Sequence, residues 1–389
     1  MKKHTTMRTY IKKLSFVALL LLLPIMVMAN KEAQSARTSG EAKIRNVVAS
    51  KQLRINYRYG EMELVFWDKN EILVLYEEVV EASSKKLADD VLQNRYPITR
   101  ENSNEYVIEQ LQNAYNPPHI VKYNSKWTVY VPVCLRYVLA KNVFGNINVG
   151  KGCQSQLRLE VEHGNVNVTD VKPMCIIKVT HGNFYVGKCG YMNVTTKHSN
   201  GTIGYANTLN LSSEHADAIR IDKVDNMTIQ GRLNKLHINK MGEAKIKGSY
   251  FTIEIDELLG HANLDNMEHS AINVNSLIGK YDASALSHCK LNITINKNNR
   301  TPKVWIHHVK WTDVVVSMPN ALKVSCLLHN SYGKINLDLP PSVKRYEMDR
   351  EDNRFELRTH VQLNTSSFTP NSVIDVYDSS YGSITIKGY

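Results

Sequence analysis

The chain has 389 residues and carries 48 Lys or Arg against 37 Asp or Glu, which gives a formal net charge of +11 at pH 7. These charges are spread along the chain without a basic patch interleaved with aromatic residues, which argues against a nucleic-acid-binding protein. Val, Ile, Asn, Thr and Tyr are abundant and helical stretches are few, so the composition predicts an all-β fold.

Residues 1–29 have the composition of a secretory signal peptide. Five Lys or Arg and no acidic residue precede an apolar run at 16–29, which ends Val27-Met28-Ala29. The run is shorter than the roughly 20 residues of a membrane span, and a retained membrane anchor is the alternative. No cysteine follows the run directly, which argues against a lipid anchor. We expect an exported protein, periplasmic, cell-surface or extracellular, without a stable transmembrane segment after cleavage.

The region before the main repeats is expected to contain the only helix. Residues 30–44 are predicted to be a linker, and residues 45–140 an N-terminal β region. Within that region Ser83 or Ser84 can cap a helix that carries Leu87, Val91 and Leu92 on one face. We expect this helix to cover the open end of the β-structure, because an unpaired strand edge would promote aggregation.

A short segment recurs along residues 141–389: a bulky residue, a glycine, any residue, and then apolar residues two apart. This alternation places one face of a strand in the core, and the glycine permits a positive φ or a close backbone approach. The copies from Phe144 to His215 lie 17–19 residues apart with few hairpin signals, which predicts a parallel β-solenoid or β-helix, right-handed, rather than a sandwich. Copies begin at Tyr59, Phe144, His163, His181, Met241, Tyr332 and Tyr381, with looser copies at His198, His215 and His261.

Four histidines occupy the bulky position of consecutive copies: His163, His181, His198 and His215. Because Tyr and Phe fill the same position elsewhere, we interpret it as a stacking position for flat side chains on neighbouring strands about 4.8 Å apart. A Zn or Cu site is one alternative, although no acidic or thiolate partner recurs at a fixed spacing. A ligand-binding surface stripe is the other. We predict no cofactor and no bound metal.

Six cysteines follow the predicted signal peptide, and an even number in an exported chain permits disulfides. Cys134 lies ten residues before Phe144, and Cys153 lies ten residues before His163. In a solenoid these two cysteines would lie on adjacent strands, within bridging distance. The alternative is that the cysteines are buried free thiols.

We expect a non-catalytic protein, because the familiar nucleophile, metal and phosphate-binding motifs are missing. The alternative is a polysaccharide-cleaving β-helix enzyme, pectinase-like or lyase-like, which would need clustered carboxylates beside a basic residue. The best candidates for such a cluster are Asp217, Asp222 and Asp225 with Arg220 and Lys223. A solvated strand edge explains the same residues.

The order of these features resembles the "putative adhesin" family of β-strand-repeat proteins, a domain family of unknown function akin to GIN-domain adhesin heads. The likeness rests on Tyr59-Gly60, the stretch at 67–72, the helix at 84–94, the stretch at 130–132 and the later Gly-Asn repeats. It implies an exported bacterial envelope protein with a β-helical body and no known catalytic residues. The partner is unknown, and a surface glycan or an envelope protein is expected.

Overall fold

The computed structural model describes residues 33–93, 95–110, 120–352, 356–369 and 371–389. The predicted signal peptide at 1–29 lies outside these residues. The described chain is all-β with one eight-residue helix, and no helix in it could cross a membrane.

The strands form one open, mixed sheet. In chain order they are β1 Gln34–Arg45, β2 Gln52–Arg58, β3 Glu61–Trp67, β4 Glu71–Ala82, β5 Pro97–Glu101, β6 Glu105–Gln110, β7 Ile120–Pro132, β8 Tyr137–Val143, β9 Ile147–Val149, β10 Gln156–Glu162, β11 Val166–Thr180, β12 Asn183–Lys197, β13 Asn200–Leu258, β14 His261–Glu268, β15 Ala271–Leu277, β16 Lys280–Ser287, β17 Lys290–Ile295, β18 Lys303–Lys310, β19 Asp313–Met318, β20 Val324–Ser331, β21 Lys334–Asp338, β22 Arg345–Asp352, β23 Glu356–Leu363, β24 Val373–Ser380 and β25 Ser383–Gly388.

Most strands between β8 and β19 pair in parallel with the equivalent strand one repeat away. β10 lies between β8 and β11, so Leu157 is opposite Val138 on one side and Cys175 on the other, at offsets of 19 and 18 residues. The same relation joins β11, β12 and β13, then β14, β16 and β18, and also β15, β17 and β19. Equivalent positions of successive repeats therefore lie side by side in columns.

The apolar side chains on alternate strand positions form one long core. In β10, Leu157 and Leu159 are fully buried, whereas Arg158 between them is exposed. Burying each such side chain contributes about 1.5–3 kcal/mol. The same core cluster includes Leu53 of β2 and Ile386 of β25. The predicted N-terminal region and the predicted repeat region thus share one core.

The strand order departs from the chain order at both ends. β6 and β7 pair in parallel with β2 and β3, so a later segment lies outside an earlier one. At the other end, β24 and β25 lie between the pair β18 and β19 and the pair β20 and β21. Antiparallel strands follow outward: β4 and β1 beyond β7, and β23 and β22 beyond β20. These strands cover edges that the parallel strands would leave open.

The helix α1, Lys85–Leu92, packs against β1 and β4 rather than over the parallel strands. Ser84 caps it, because its hydroxyl accepts a hydrogen bond from the N–H of Leu87 at 3.3 Å. Val91 on the inner face joins Ala36 and Val80 in a small separate cluster. The prediction that this helix covers the open end of the β-structure was therefore wrong, because strand β4 covers that edge by pairing with β7. The segment predicted as a linker forms most of β1.

A buried carboxylate joins the antiparallel strands to the first parallel strands. Glu78 of β4 is fully buried and accepts hydrogen bonds from Tyr123 Oη at 2.5 Å, Ser125 Oγ at 2.8 Å and Trp127 Nε1 at 3.0 Å. Ser125 also accepts a hydrogen bond from Tyr57 of β2. Burial raises the pKa of Glu78 above its ordinary value, although the three hydrogen bonds act in the opposite direction.

Candidate functional site

A column of flat side chains lies in the turns between the strands of successive repeats. Neighbouring rings stack with centroids 4.7–5.4 Å apart and ring planes within 20° of one another. We call these residues the ring column. Its first segment is Tyr59, Phe144, His163, His181, His198 and His215, and its second is Tyr250, His269, His288, Trp311, Tyr381 and Tyr332.

Every member of the ring column has a left-handed backbone, with φ between 47° and 62°. This conformation is unfavourable for residues other than glycine. Hydrogen bonds between repeats hold it: the N–H of His181 donates to the carbonyl oxygen of Lys197 at 3.0 Å. The glycine that follows serves close approach, because a Cβ added at Gly182 would lie 1.7 Å from the carbonyl oxygen of Gly164. The positive φ thus belongs to the ring residue.

The structure brings the four predicted histidines together in one uninterrupted stack. His163 and His198 each lie 5.0 Å from His181, and His215 lies 4.8 Å from His198, measured between ring centroids. Their planes differ by 4–17°, so the rings meet face to face.

The predicted membership of the column was wrong at two positions. Met241 is fully buried in the core, and His261 begins β14 away from the stacked rings. Met241 was predicted because a glycine follows it, whereas the members of the column are identified better by their spacing of 17–19 residues. Counting on from His215 by that spacing leads first to Leu233, which carries no ring, and then to the missed members Tyr250, His269 and His288.

The histidine stack is unsuited to chelating a single metal ion. Because the imidazole planes are parallel and 5.0 Å apart, their nitrogen lone pairs point in parallel directions and do not converge. A zinc ion needs ligand nitrogens that converge at about 2.0–2.1 Å. Within the described ranges, no group of three or more His, Cys, Asp or Glu side chains could hold a metal.

Acidic and basic side chains border the histidine stack. The Nε2 atom of His215 lies 3.7 Å from a carboxylate oxygen of Glu214, which also forms ion pairs with Lys197 and Arg232, both at 3.4 Å. Lys197 in particular lowers the pKa of Glu214. The groups are exposed, so this network is a local electrostatic feature with little effect on stability.

A row of asparagines accompanies the first segment of the ring column. The side-chain oxygen of Asn146 accepts a hydrogen bond from the N–H of Asn165 at 2.9 Å, and that of Asn165 accepts one from the N–H of Asn183 at 3.0 Å. Asn200 binds the N–H of Ala218 in the same way. The turn asparagines therefore join adjacent repeats.

Leu233 separates the two segments of the ring column, and an open cavity of about 530 Å³ lies there. We call this place the notch. Leu233 has the left-handed backbone of the column, with φ 58°, but carries no ring. Gly231 and Gly248 precede Leu233 and Tyr250 by two residues and also have positive φ. The notch is lined by His198, Ser199, Asn200, His215, Ala216, Asp217, Leu233, Asn234, Lys235, Tyr250 and Thr252.

The carboxylates considered for catalysis have separate surroundings. Asp217 lines the notch, whereas Asp222 accepts a hydrogen bond from Asn239 at 3.3 Å. Asp225 accepts a hydrogen bond from Tyr205 at 2.6 Å, and Lys223 lies 3.6 Å from the same carboxylate. Arg220 lines a different open cavity, beside Tyr185.

The cysteines are free thiols, and Cys134 and Cys153 are not bridged. Cys134 is exposed and the other five are buried. Burial raises the pKa of Cys153 to about 12 and that of Cys326 to about 12, so both remain protonated at neutral pH.

We expect native protein to react with iodoacetamide at Cys134 alone, because thiolate formation and access both require exposure. Intact mass spectrometry should show one adduct, and unfolding in denaturant should expose all six thiols. Replacing Cys134 with serine should abolish native labelling. Absence of labelling in the oxidised wild-type protein, with recovery after reduction, would instead indicate a bridge.

Comparison with solved structures finds chains that align with this one at TM-scores below 0.5. A "putative adhesin" from Parabacteroides merdae is 15% identical with a TM-score of 0.35, over 64% of this chain and 95% of that chain. A "putative cell adhesion protein" from Clostridium sporogenes is 9% identical with a TM-score of 0.19, over 91% and 100% of the two chains. A "putative adhesin" from Parabacteroides distasonis is 11% identical with a TM-score of 0.24, over 90% and 97%.

No protein-family model matches the chain, and no curated protein matches its sequence. The structural neighbours are named as adhesins or cell-adhesion proteins, as the predicted resemblance implies at a coarse level. Likeness at these TM-scores assigns no function to this chain, and membership of the specific family stays a prediction.

Proposed function

We propose that this chain is an exported, non-catalytic, adhesin-like protein that binds a glycan along the face carrying the ring column. Parallel pairing at offsets of 17–19 residues supports a right-handed parallel β-solenoid as its body. The basic and apolar character of residues 1–29 supports export.

The observation that carries the proposal is the long row of regularly spaced, stacked rings with exposed edges. Members such as Phe144 and Tyr381 are about half exposed although they are stacked, so their ring edges face solvent. The asparagine row beside them offers amide groups at the same interval. Exposed aromatic edges together with regularly spaced hydrogen-bonding groups suit an extended polar ligand better than a compact one.

The separate surroundings of Asp217, Asp222 and Asp225 support a non-catalytic role. A glycosidase needs two carboxyl groups that flank one bond of the substrate. Asp225 is already engaged by Tyr205 and Lys223, and Asp222 by Asn239. The three carboxylates therefore lack the common surroundings that paired acid and base chemistry requires.

A glycan array probed with the full chain tests binding, and a polysaccharide panel assayed for new reducing ends tests catalysis. We expect retention on at least one glycan and no depolymerisation. The control replaces Asp217, Asp222 and Asp225 together with asparagine. Reducing ends that appear with wild type and vanish with this variant would establish the enzyme alternative instead. Small-angle scattering should show a particle about 60 Å long, from about thirteen strand spacings.

A further inference from the structure

The notch leaves two ring faces without a ring partner. Within the described residues, His215 stacks only on His198, and Tyr250 stacks only on His269. Leu233 lies between the two uncovered faces and is 41% exposed, while Tyr250 is 51% exposed. A branched aliphatic side chain is shorter than a phenol ring, so the outer part of the Tyr250 face borders the cavity rather than another ring.

Polar groups without protein partners line the same cavity. Asp217, Lys235 and Thr252 form no hydrogen bond or ion pair through their side chains with any residue that the structure describes. The charged neighbours outside the notch behave differently, since Glu214 pairs with Lys197 and Arg232. The unpaired carboxylate, ammonium and hydroxyl groups of the notch are therefore available to a ligand.

The floor of the notch is rigid. Asn234 is buried, and its side-chain amide donates to the carbonyl oxygen of Ser213 at 2.9 Å. Its side-chain oxygen accepts from Ser213 Oγ at 2.9 Å and from the N–H of Ala216 at 3.0 Å. These bonds fix the two repeats that carry His215 and Leu233. A preformed cavity of this kind reduces the ordering cost of binding.

We propose that the notch binds a neutral pyranose ring of a glycan, and this inference rests on the proposed function. The C–H face of the sugar would lie on Leu233 and Tyr250. Its hydroxyl groups would donate to Asp217 and accept from Lys235, with Thr252 able to do both. One acidic and one basic side chain balance in charge, which favours a neutral sugar over a uronic acid or an amino sugar with a free amine.

An aromatic side chain of a peptide fits the notch less well. Its ring could stack on Tyr250, but it would cover the carboxylate of Asp217 and the ammonium of Lys235 without hydrogen bonding to them. Burying charged groups without partners opposes binding. The sugar hydroxyls satisfy both, so the polar lining selects the pyranose.

Saturation-transfer difference NMR on the full chain, with methyl glycosides of glucose, galactose, mannose and N-acetylglucosamine, tests the proposal. We expect at least one to bind wild type. Tyr250→Ala and Asp217→Asn should each weaken that binding at least tenfold. Leu233→Trp should abolish it by extending the ring column through the notch. Tyr346→Ala is the matched control, since it removes an exposed ring on β22, outside the ring column, and should leave binding unchanged.

The outcomes separate this inference from the proposed function. Glycan retention on the array that survives in Leu233→Trp and Asp217→Asn supports an adhesin-like protein but overturns the notch as its site. No retention of any glycan by wild type overturns both. Binding of N-acetyl-tyrosinamide in place of every methyl glycoside overturns the pyranose in favour of a peptide side chain. Because Asp217 is exposed and asparagine has the same shape, Asp217→Asn remains interpretable if a ring variant fails to fold.

Discussion

Replacing Gly182 with alanine is expected to lower the free energy of unfolding by about 3 kcal/mol, near the upper range for overpacked sites. The new Cβ would lie 1.7 Å from the carbonyl oxygen of Gly164, which is backbone and cannot rotate away. The two repeats would have to separate at the turn. That separation would weaken the hydrogen bond from the N–H of His163 to the carbonyl oxygen of Thr180, at 2.9 Å, and the stacking of His163 on His181. Chemical denaturation followed by circular dichroism measures the change.

Gly150 provides the matched control for this prediction. A Cβ added there meets only the carbonyl oxygen of Leu64, at 3.6 Å, which is an ordinary contact. Gly150→Ala should therefore change stability by less than about 1 kcal/mol, in either direction. Equal losses in the two variants would show that the close approach of repeats does not explain the glycine at position 182.

Replacing Glu78 with leucine is expected to cost about 3–5 kcal/mol, because three buried donors lose their acceptor and each unsatisfied buried donor costs about 1–3 kcal/mol. Leucine accepts no hydrogen bond, so Tyr123, Ser125 and Trp127 would lose their shared acceptor in a buried place. These donors lie on β7, and their loss would loosen the antiparallel strands at this end. Glu81→Leu on the same strand is the control, because Glu81 is partly exposed and, among the residues that the structure describes, pairs only with exposed Lys122.

Glu78→Gln tests the charge of the same residue through pH. The raised pKa means that folded protein holds this proton more tightly than unfolded protein does. Its contribution to stability is therefore greatest below the ordinary pKa of about 4.5 and is lost as pH rises through the folded value. The free energy of unfolding of wild type relative to Glu78→Gln should fall as pH rises from about 4 to 8. A flat difference would show that Glu78 does not titrate in this interval.

The repeat could be predicted from the sequence because alternation and spacing are local properties. In β10 the alternation of Leu157 and Leu159 with Arg158 marks one buried face, and the offset to Cys175 is visible as a recurring interval. The stacking of the four histidines followed from that interval. The break at Leu233 was missed because leucine has neither the ring nor the glycine by which the copies were recognised.

The ends of the fold could not be read in the same way. β2 and β3 have the same alternation of buried and exposed residues as the other repeats. That alternation does not indicate that β6 and β7 pair with them on the outer side. The sequence predicts a linker where the structure has β1, Gln34–Arg45. Most residues of this strand are polar, and in the structure most of them are exposed. Its partner β4 supplies the pairing, and such long-range pairing is encoded jointly by distant segments.

The interleaved position of β24 and β25 has a consequence for how the molecule is made. Val373 of β24 lies opposite Lys303 of β18, seventy residues earlier, on one side and opposite Ser325 of β20 on the other. The strands β20 and β21 pair with β24 and β25, not with β18 and β19. They therefore cannot join the rest of the sheet until residues 373–388 have been synthesised and have paired with β18 and β19. Assembly therefore cannot proceed as a simple winding from first layer to last, and the closing step waits for late-emerging chain. That delay leaves hydrophobic surface uncovered until the last strands have been synthesised, which favours aggregation of incomplete chains.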